Sequence, residues 1–193
     1  MIAFVRGQFA VKTPARVVVD VNGVGYDLQI SLHTYTTISN QQEGKLFTYL
    51  HITENAHTLY GFADITEKEL FLQLISVSGV GAATARMMLS GMKPEEIARA
   101  IVQGNAKQLE SIKGIGRKSA ERLIVELRDK LGRQAMENPL AEAATSTIDT
   151  DAVNALIALG IGRPAAENAV KKVTALNPAV TLEEIIKQAL KNL

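Results

Sequence analysis

The sequence contains an internal repeat whose two copies are offset by 35 residues. The first copy reads LISVSGVGAATA at 74–85, and the second reads LESIKGIGRKSA at 109–120. Each copy combines an apolar segment of helical spacing, a Gly-apolar-Gly turn and the start of a further helix. The repeat therefore predicts two successive helical hairpins built on one plan.

The Gly-apolar-Gly turns are candidate phosphate sites. Two glycines let the backbone turn tightly and leave unobstructed N–H groups at the start of the following helix, where an anion is favoured. The central Val80 and Ile115 are expected to plug into the core and hold each turn rigid. The predicted DNA contacts are Ser78, Gly79, Gly81, Thr84, Lys113, Gly114, Gly116, Arg117, Lys118, Ser119 and Arg122. The competing interpretation is two ordinary helix-to-helix turns in which glycine only ends one helix and starts the next.

Positive charge is concentrated in the second copy, although the net charge of the whole chain is only +1. Residues 113–133 hold seven Lys or Arg against three Asp or Glu, a local excess of four. The first copy has Ala82 and Ala83 where the second has Arg117 and Lys118. Its phosphate contact would therefore depend on backbone amides, Ser78 and Arg86. We therefore expect the second hairpin to bind phosphate more strongly, and to read DNA shape rather than sequence.

The segments on either side of the repeat predict an α+β multidomain protein. Residues 1–62 have a period-two pattern of β-branched and aromatic residues, which favours a small antiparallel five-stranded barrel, with Asn22-Gly23 forming a type I′ hairpin turn. Residues 63–137 are predicted as the hairpin domain, 138–150 as a flexible linker, and 151–193 as three short helices.

Several kinds of chemistry are excluded by residues that the chain lacks. Without cysteine there are no disulfides, thiolate nucleophiles or sulfur-ligated zinc sites. No phosphate-binding P-loop is present, because Gly44-Lys45 is followed by Leu46 and Lys118-Ser119 is preceded by Arg117. A dinucleotide motif would need glycine at 84 or 119. We predict no catalytic residues, metal or cofactor, and, since no leader or apolar span of 18 residues is evident, a cytoplasmic protein without membrane contact.

The order of these segments resembles the RuvA family of Holliday-junction-binding proteins over the whole length. The resemblance is carried by MIAFVRG at the start, NGVGYDLQI, LYGF (59–62), the GVG and GIG turns, SGMKPEE (90–96) and KSAERLIVELRDKL (118–131). It implies an OB-fold barrel, a double helix-hairpin-helix domain and a three-helix, UBA-like tail that docks on the hexameric ATPase RuvB. It also implies a homotetramer on four-way junction DNA, with an octamer as the alternative and the RuvC resolvase as a further partner, acting in recombination, DNA repair and the SOS response.

Two further sites follow from the resemblance. The family's acidic pin, a barrel loop that enters the junction centre, falls on Glu54 and Asn55, where the pattern usually has two carboxylates. On spacing alone these are simply turn residues. The family's motor-binding surface falls on Leu156, Leu159, Ile161 and Leu190, although a bundle of this size needs most of its leucines for its own core.

Two other functional classes remain as alternatives. A structure-specific nuclease would need clustered carboxylates, and Asp64, Glu67 and Glu69 are better explained as complements to a helix dipole. A single-strand-binding barrel would need exposed aromatic residues, most of which occupy predicted core positions here. The histidines, His33, His51 and His57, show no ligand spacing and are predicted to be structural or surface residues.

Overall fold

The computed structural model describes residues 1–137, 148–176 and 181–191. The chain divides into two compact units, Met1–Pro139 and Leu140–Leu193. The first unit contains a β-barrel and a set of helices, and the second contains the helical tail.

The barrel is built from five strands that close in the order β1-β2-β3-β5-β4. Their bounds are β1 Phe4–Thr13, β2 Arg16–Val21, β3 Val24–Ile30, β4 Glu43–Ile52 and β5 His57–Phe62. Alternate residues point inward, and their aliphatic side chains fill the interior, among them Val17, Val19, Leu28, Ile30 and Leu46. The predicted barrel is thus confirmed, with one difference: β3 and β5 pair in parallel, while the other four pairs are antiparallel.

The β2–β3 turn forms where the sequence predicted it. Asn22 and Gly23 both have positive φ, 51° and 88°. The Asp20 carboxylate accepts a hydrogen bond of 2.7 Å from the Gly23 N–H, which fixes the turn from the side.

A short helix, α1, spans Leu32–Ile38 between β3 and β4. The interpretation of residues 1–62 as strands and turns alone is wrong at this point. Ser31 starts the helix, because its Oγ accepts a hydrogen bond of 3.0 Å from the Thr34 N–H. The parallel strands β3 and β5 are connected through α1 and β4 together, since a tight turn cannot join strands that run in the same direction.

The helices of the first unit form two hairpins that share one core. Their bounds are α2 Ile65–Ser76, α3 Ala82–Gly91, α4 Pro94–Val102, α5 Ala106–Glu110 and α6 Arg117–Glu137. We call α2, α3 and the turn between them the first hairpin, and α5, α6 and their turn the second. Phe71 of α2 lies 4.9 Å from Phe62 and 5.1 Å from Tyr60, ring centre to ring centre, so the hairpin core continues onto the outer face of the barrel.

The tail unit has a core of its own. In its described residues the helices are α7 Ile148–Ala158, α8 Arg163–Leu176 and α9 Leu182–Lys191. Small and aliphatic side chains fill the space between them, including Ala152, Leu156, Ala166, Val170, Val173, Ile185 and Ala189. The predicted three helices are confirmed.

The predicted linker, 138–150, overlaps the start of the tail. Helix α7 begins at Ile148, earlier than the predicted start of the tail at residue 151. The rest of the predicted linker, 138–147, lies outside the described residues. None of the described helices combines the length and the apolar character needed to cross a membrane.

Candidate nucleic-acid interface

The two Gly-apolar-Gly turns have the same backbone hydrogen bonds at the same offset. The Val80 N–H donates to the Val77 carbonyl at 3.0 Å, and the Ile115 N–H donates to the Ile112 carbonyl at 3.0 Å. One turn further along, Ala85 donates to Gly81 at 2.9 Å and Ala120 donates to Gly116 at 3.0 Å. The sequence repeat is therefore a structural repeat as well.

The first and second glycines of each turn have different roles. Gly79 and Gly114 have φ of 91° and 93°, a left-handed conformation that L side chains rarely adopt. Gly81 and Gly116 have no positive φ, and among the described residues no atom lies within 4 Å of where a Cβ would stand. The first glycine thus makes the turn, and the second leaves open space in front of the helix start.

The apolar residue between the glycines anchors each turn. Val80 and Ile115 are buried in the shared hairpin core, as expected from the sequence. Gly81 precedes α3 without a capping side chain in the described structure, so the first N–H groups of that helix are not satisfied by a side chain. A rigid turn beside uncapped amides provides donors for an anion.

The two turns lie next to each other. Arg122 of α6 donates from Nη1 to the Ser78 carbonyl in the first turn at 3.2 Å. Met87 of α3 lies against the second turn, with its Cε 3.6 Å from the position of a Cβ on Gly114. The predicted glycine, serine and basic residues of both hairpins are therefore brought to one region of the surface. Within that region, Arg122 connects the two turns by its hydrogen bond to the Ser78 carbonyl.

Positive charge at the second turn is divided between paired and unpaired side chains. Arg117 Nε donates to Glu121 Oε1 at 2.8 Å, and Arg122 Nε donates to Glu126 Oε1 at 2.9 Å. The hydrogen bond that Arg117 donates to Glu121, followed by the negative charge of that carboxylate, raises the pKa of Arg117. Lys113 and Lys118 are exposed and have no ion pair with another described residue. These two lysines can bind a phosphate without first breaking an ion pair with a carboxylate.

The hydroxyl groups of the two turns are placed alike. Thr84 and Ser119 occupy equivalent positions in the first turns of α3 and α6, and both are half-buried. Arg86, which the sequence suggested as a support for the first turn, instead donates from Nη1 to the Ala15 carbonyl and to Gln29 Oε1, both at 3.0 Å. Its contact with the barrel removes the reason for assigning it to phosphate.

Glu54 and Asn55 form the tip of the β4–β5 hairpin. The Thr53 N–H donates to the Ala56 carbonyl at 2.9 Å, and the Ala56 N–H donates to Thr53 Oγ1 at 3.1 Å, so the two residues between them project from the barrel. Both are exposed. This geometry fits a turn and a projecting pin equally, and the pin stays a prediction.

The tail candidates divide by burial. Leu159 and Leu190 are 62% and 44% exposed, and Ile161 is half-buried against the tail core. Leu156 is fully buried. Its prediction as a surface contact is corrected, because its position in α7 faces α8 and α9, and a partner could not reach it without opening the core.

The sequence did not predict that His33 would lie beside carboxylates. His33 Nε2 is 3.9 Å from Asp64 Oδ2, and Glu67 completes the group. Asp64 does start its helix as predicted, since its Oδ1 accepts from the Glu67 N–H at 2.8 Å. Glu67 is not an exposed dipole partner: it is fully buried, and both of its oxygens already accept hydrogen bonds from Ser31, Thr34 and Ala63. The group is therefore not arranged as an open metal site for hydrolysis.

A pair of glycine substitutions separates turn formation from anion binding. Gly114→Ala is expected to destabilise the fold by about 1 kcal/mol because of its left-handed φ. Gly116→Ala should leave the thermal midpoint nearly unchanged, since its Cβ would meet no protein atom, and should weaken DNA binding by occupying the space in front of the amides. Thermal melts and DNA titrations of both variants check this; unchanged DNA affinity in Gly116→Ala would contradict the assignment.

Fold and site together define a protein in which a closed five-stranded barrel carries two adjacent helix-hairpin-helix turns and a separate three-helix tail. Three family models match in the same order. The RuvA N-terminal domain matches residues 1–61, a SAM-like helix-hairpin-helix tandem matches 71–129, and the RuvA C-terminal domain matches 148–193.

Curated relatives match from end to end. A protein of Flavobacterium psychrophilum is 47% identical, with both chains fully covered, and proteins of Cytophaga hutchinsonii and Bacteroides thetaiotaomicron are 44% and 43% identical, with at least 99% of each chain covered. Each of the three is named Holliday junction branch migration complex subunit RuvA. The chain belongs to the RuvA family.

Proposed function

We propose that the chain binds four-way DNA junctions by structure rather than by sequence, and that it recruits the hexameric ATPase RuvB for branch migration in recombination and DNA repair. The observation that supports this most strongly is the pair of adjacent glycine turns with open helix starts, one of them collared by lysine and arginine. Amide donors and exposed cations hold phosphate oxygens without reading bases. The names of the full-length relatives point to the same complex.

Within this proposal the second hairpin provides the stronger contact. The amides at the start of α6, after Gly116, would hold a backbone phosphate, with Ser119 as a further donor and Lys113 and Lys118 as counter-charges. Arg117 would exchange Glu121 for phosphate. The first hairpin would contribute Ser78, Gly79, Gly81 and Thr84, without basic side chains equivalent to Lys113, Arg117 and Lys118.

We also propose that the chain itself is a non-catalytic adaptor, and that it works in the cytoplasm as a homotetramer. Four copies would match the four arms of a junction, and light scattering with and without junction DNA would distinguish a tetramer from a face-to-face octamer. Joint recruitment of RuvC is a further proposal, which a pull-down on junction DNA would test.

A labelled four-way junction incubated with the protein and magnesium tests the adaptor against the nuclease alternative. We expect a discrete shift in mobility and intact strands on a denaturing gel. Strand cleavage that persists across independent preparations would favour a nuclease and contradict the adaptor.

The tip of the β4–β5 hairpin provides a prediction about charge. In a four-fold assembly, four Glu54 carboxylates near one axis would repel the phosphates of intact duplex and tolerate an opened junction. Glu54→Gln is therefore expected to raise affinity for duplex more than for the junction, whereas Asn55→Asp should lower duplex affinity. The effects should shrink as salt shortens the Debye length from about 30 Å to about 10 Å.

Salt titrations of wild type and both variants on duplex and four-way DNA measure this effect. Asp20→Asn, at the β2–β3 turn, serves as a control for loss of a barrel carboxylate. If neither pin variant changes the junction-to-duplex ratio at low salt, Glu54 and Asn55 are turn residues only.

A further inference from the structure

Helix α1 is bonded at its first turn to both helices of the first hairpin. From α2, the Glu67 carboxylate accepts hydrogen bonds from Ser31 Oγ and, at 2.5 Å, from Thr34 Oγ1. From α3, Ser90 Oγ accepts a hydrogen bond of 3.0 Å from the Leu32 N–H. Because α1 lies between β3 and β4 in the chain, these bonds connect the barrel to the hairpins. We call this set, Ser31, Leu32, Thr34, Glu67 and Ser90, the α1 contact.

Glu67 is the centre of the α1 contact and is fully buried. Its Oε2 also accepts a hydrogen bond of 3.2 Å from the Ala63 N–H, and the Ser31 hydroxyl is held in turn by the Thr34 N–H. Burial raises the pKa of the Glu67 carboxyl, and the hydrogen bonds from Ser31, Thr34 and Ala63 oppose that shift. A buried carboxylate is costly to leave without donors, so a rotation of α2 away from α1 is strongly disfavoured.

A second contact lies elsewhere on the same hairpin. Arg86 of α3 donates to the Ala15 carbonyl, just before β2, and to Gln29 on β3. The first hairpin is thus connected to the barrel by hydrogen bonds at two places. The second hairpin is connected to the first by the hydrogen bond from Arg122 to the Ser78 carbonyl. The polar connections run from barrel to first hairpin to second hairpin.

We propose that Glu67 is a positioning residue for junction binding: through α1, it holds the first hairpin in one orientation on the barrel. The tip carrying Glu54 and the two glycine turns then keep a fixed spacing on the DNA. The inference rests on the proposed function, and it gives the first hairpin a task that does not depend on a basic collar. Junction binding should therefore be weakened by loss of a hydrogen bond to the buried Glu67 carboxylate, even when no positive charge is removed.

Since the chain has no cysteine, spin labels can be placed at chosen sites. We would label His57→Cys beside the barrel tip and Lys107→Cys on α5, both exposed, and mix the labelled chain with excess unlabelled chain so that distances within one subunit dominate. The distance distribution is measured by pulsed electron paramagnetic resonance in this background. Junction and duplex affinities are measured on the same variants.

Thr34→Val removes a Glu67 donor without changing the shape or charge of the chain. We expect it to broaden the distance distribution and to lower the junction-to-duplex affinity ratio about tenfold. Ser90→Ala, which removes the acceptor for Leu32 without loss of charge, should act in the same direction and more weakly. The control is Asp27→Asn, which breaks the exposed 2.6 Å pair between Arg16 and Asp27 within the barrel and should change neither readout.

A lower thermal midpoint in Thr34→Val with an unchanged distance distribution and an unchanged affinity ratio would overturn the proposal, because Glu67 would then only stabilise the fold. The other outcome is that the distance distribution broadens in Thr34→Val but the wild-type protein binds duplex and junction with equal affinity. That result would instead overturn the proposed function. In that case the distances would still support the role of Glu67 in fixing the barrel to the hairpins.

Discussion

A chain that ends at Asn138 is expected to bind four-way junctions as tightly as the full chain and to support no ATP-driven branch migration. The tail packs its own core, and among the residues whose burial the structure describes, the cores of the barrel and hairpins extend to Leu131. Removing the tail therefore leaves the proposed DNA-binding turns folded. Gel shifts and a branch-migration assay with the hexameric ATPase measure the two activities separately.

Point substitutions in the full chain show whether the tail acts through its surface. Leu159→Ser and Leu190→Ser change exposed leucines, so they should weaken motor recruitment while the fold remains intact. Val24→Ser, at an exposed valine of the barrel, is the control and should have no effect. Branch migration by the shortened chain at the rate of the full chain would remove the adaptor role from residues 151–193.

The second large effect is expected from Arg117→Ala combined with Lys118→Ala. Both side chains lie at the start of α6, beside the open amides of the second turn. The plot of log affinity against log salt should become less steep by about 0.9 for each phosphate contact that is lost in each bound subunit. Affinity for junction DNA should fall strongly at low salt, and fluorescence anisotropy across a salt series measures both quantities.

The matched control is Lys171→Ala with Lys172→Ala, an adjacent exposed pair of lysines in α8 that removes the same charge from the tail. It should leave the salt slope unchanged. Glu121→Gln should raise affinity, since it releases Arg117 from its ion pair and removes a carboxylate near the phosphate. A salt slope that is the same in wild type and in the Arg117/Lys118 variant would place the second turn outside the DNA interface.

The parts of the fold that the sequence predicted are those set by local patterns. The Gly-x-Gly repeat, the Asn22-Gly23 turn and the alternation of the strands each depend on residues close together in the chain. Helix α1 was missed because HTYTT lacks an apolar period and is rich in threonine, which favours strands. The helix is stabilised instead by the Ser31 cap and by Glu67, which is 36 residues away from Ser31.

Side-chain roles were harder to predict than elements. Glu67 has the position of a helix-dipole carboxylate in the sequence, and only the tertiary fold shows that it is buried against two hydroxyl groups. Leu156 and Leu159 are equally apolar, but Leu156 lies within α7 and packs in the tail core, whereas Leu159 directly follows α7 and is exposed. The pairing of Arg117 with Glu121 was available from their spacing of four residues, because side chains four apart on a helix are neighbours.

The most direct test compares wild-type affinity for a four-way junction with its affinity for linear duplexes of the same arm sequences, in one buffer, and repeats the comparison with an unrelated set of sequences. We predict tighter binding of the junction in both sets, with the same ratio of affinities, because phosphates and DNA shape are read and bases are not. Equal affinity for junction and duplex, or a ratio that follows the sequence, would contradict the account.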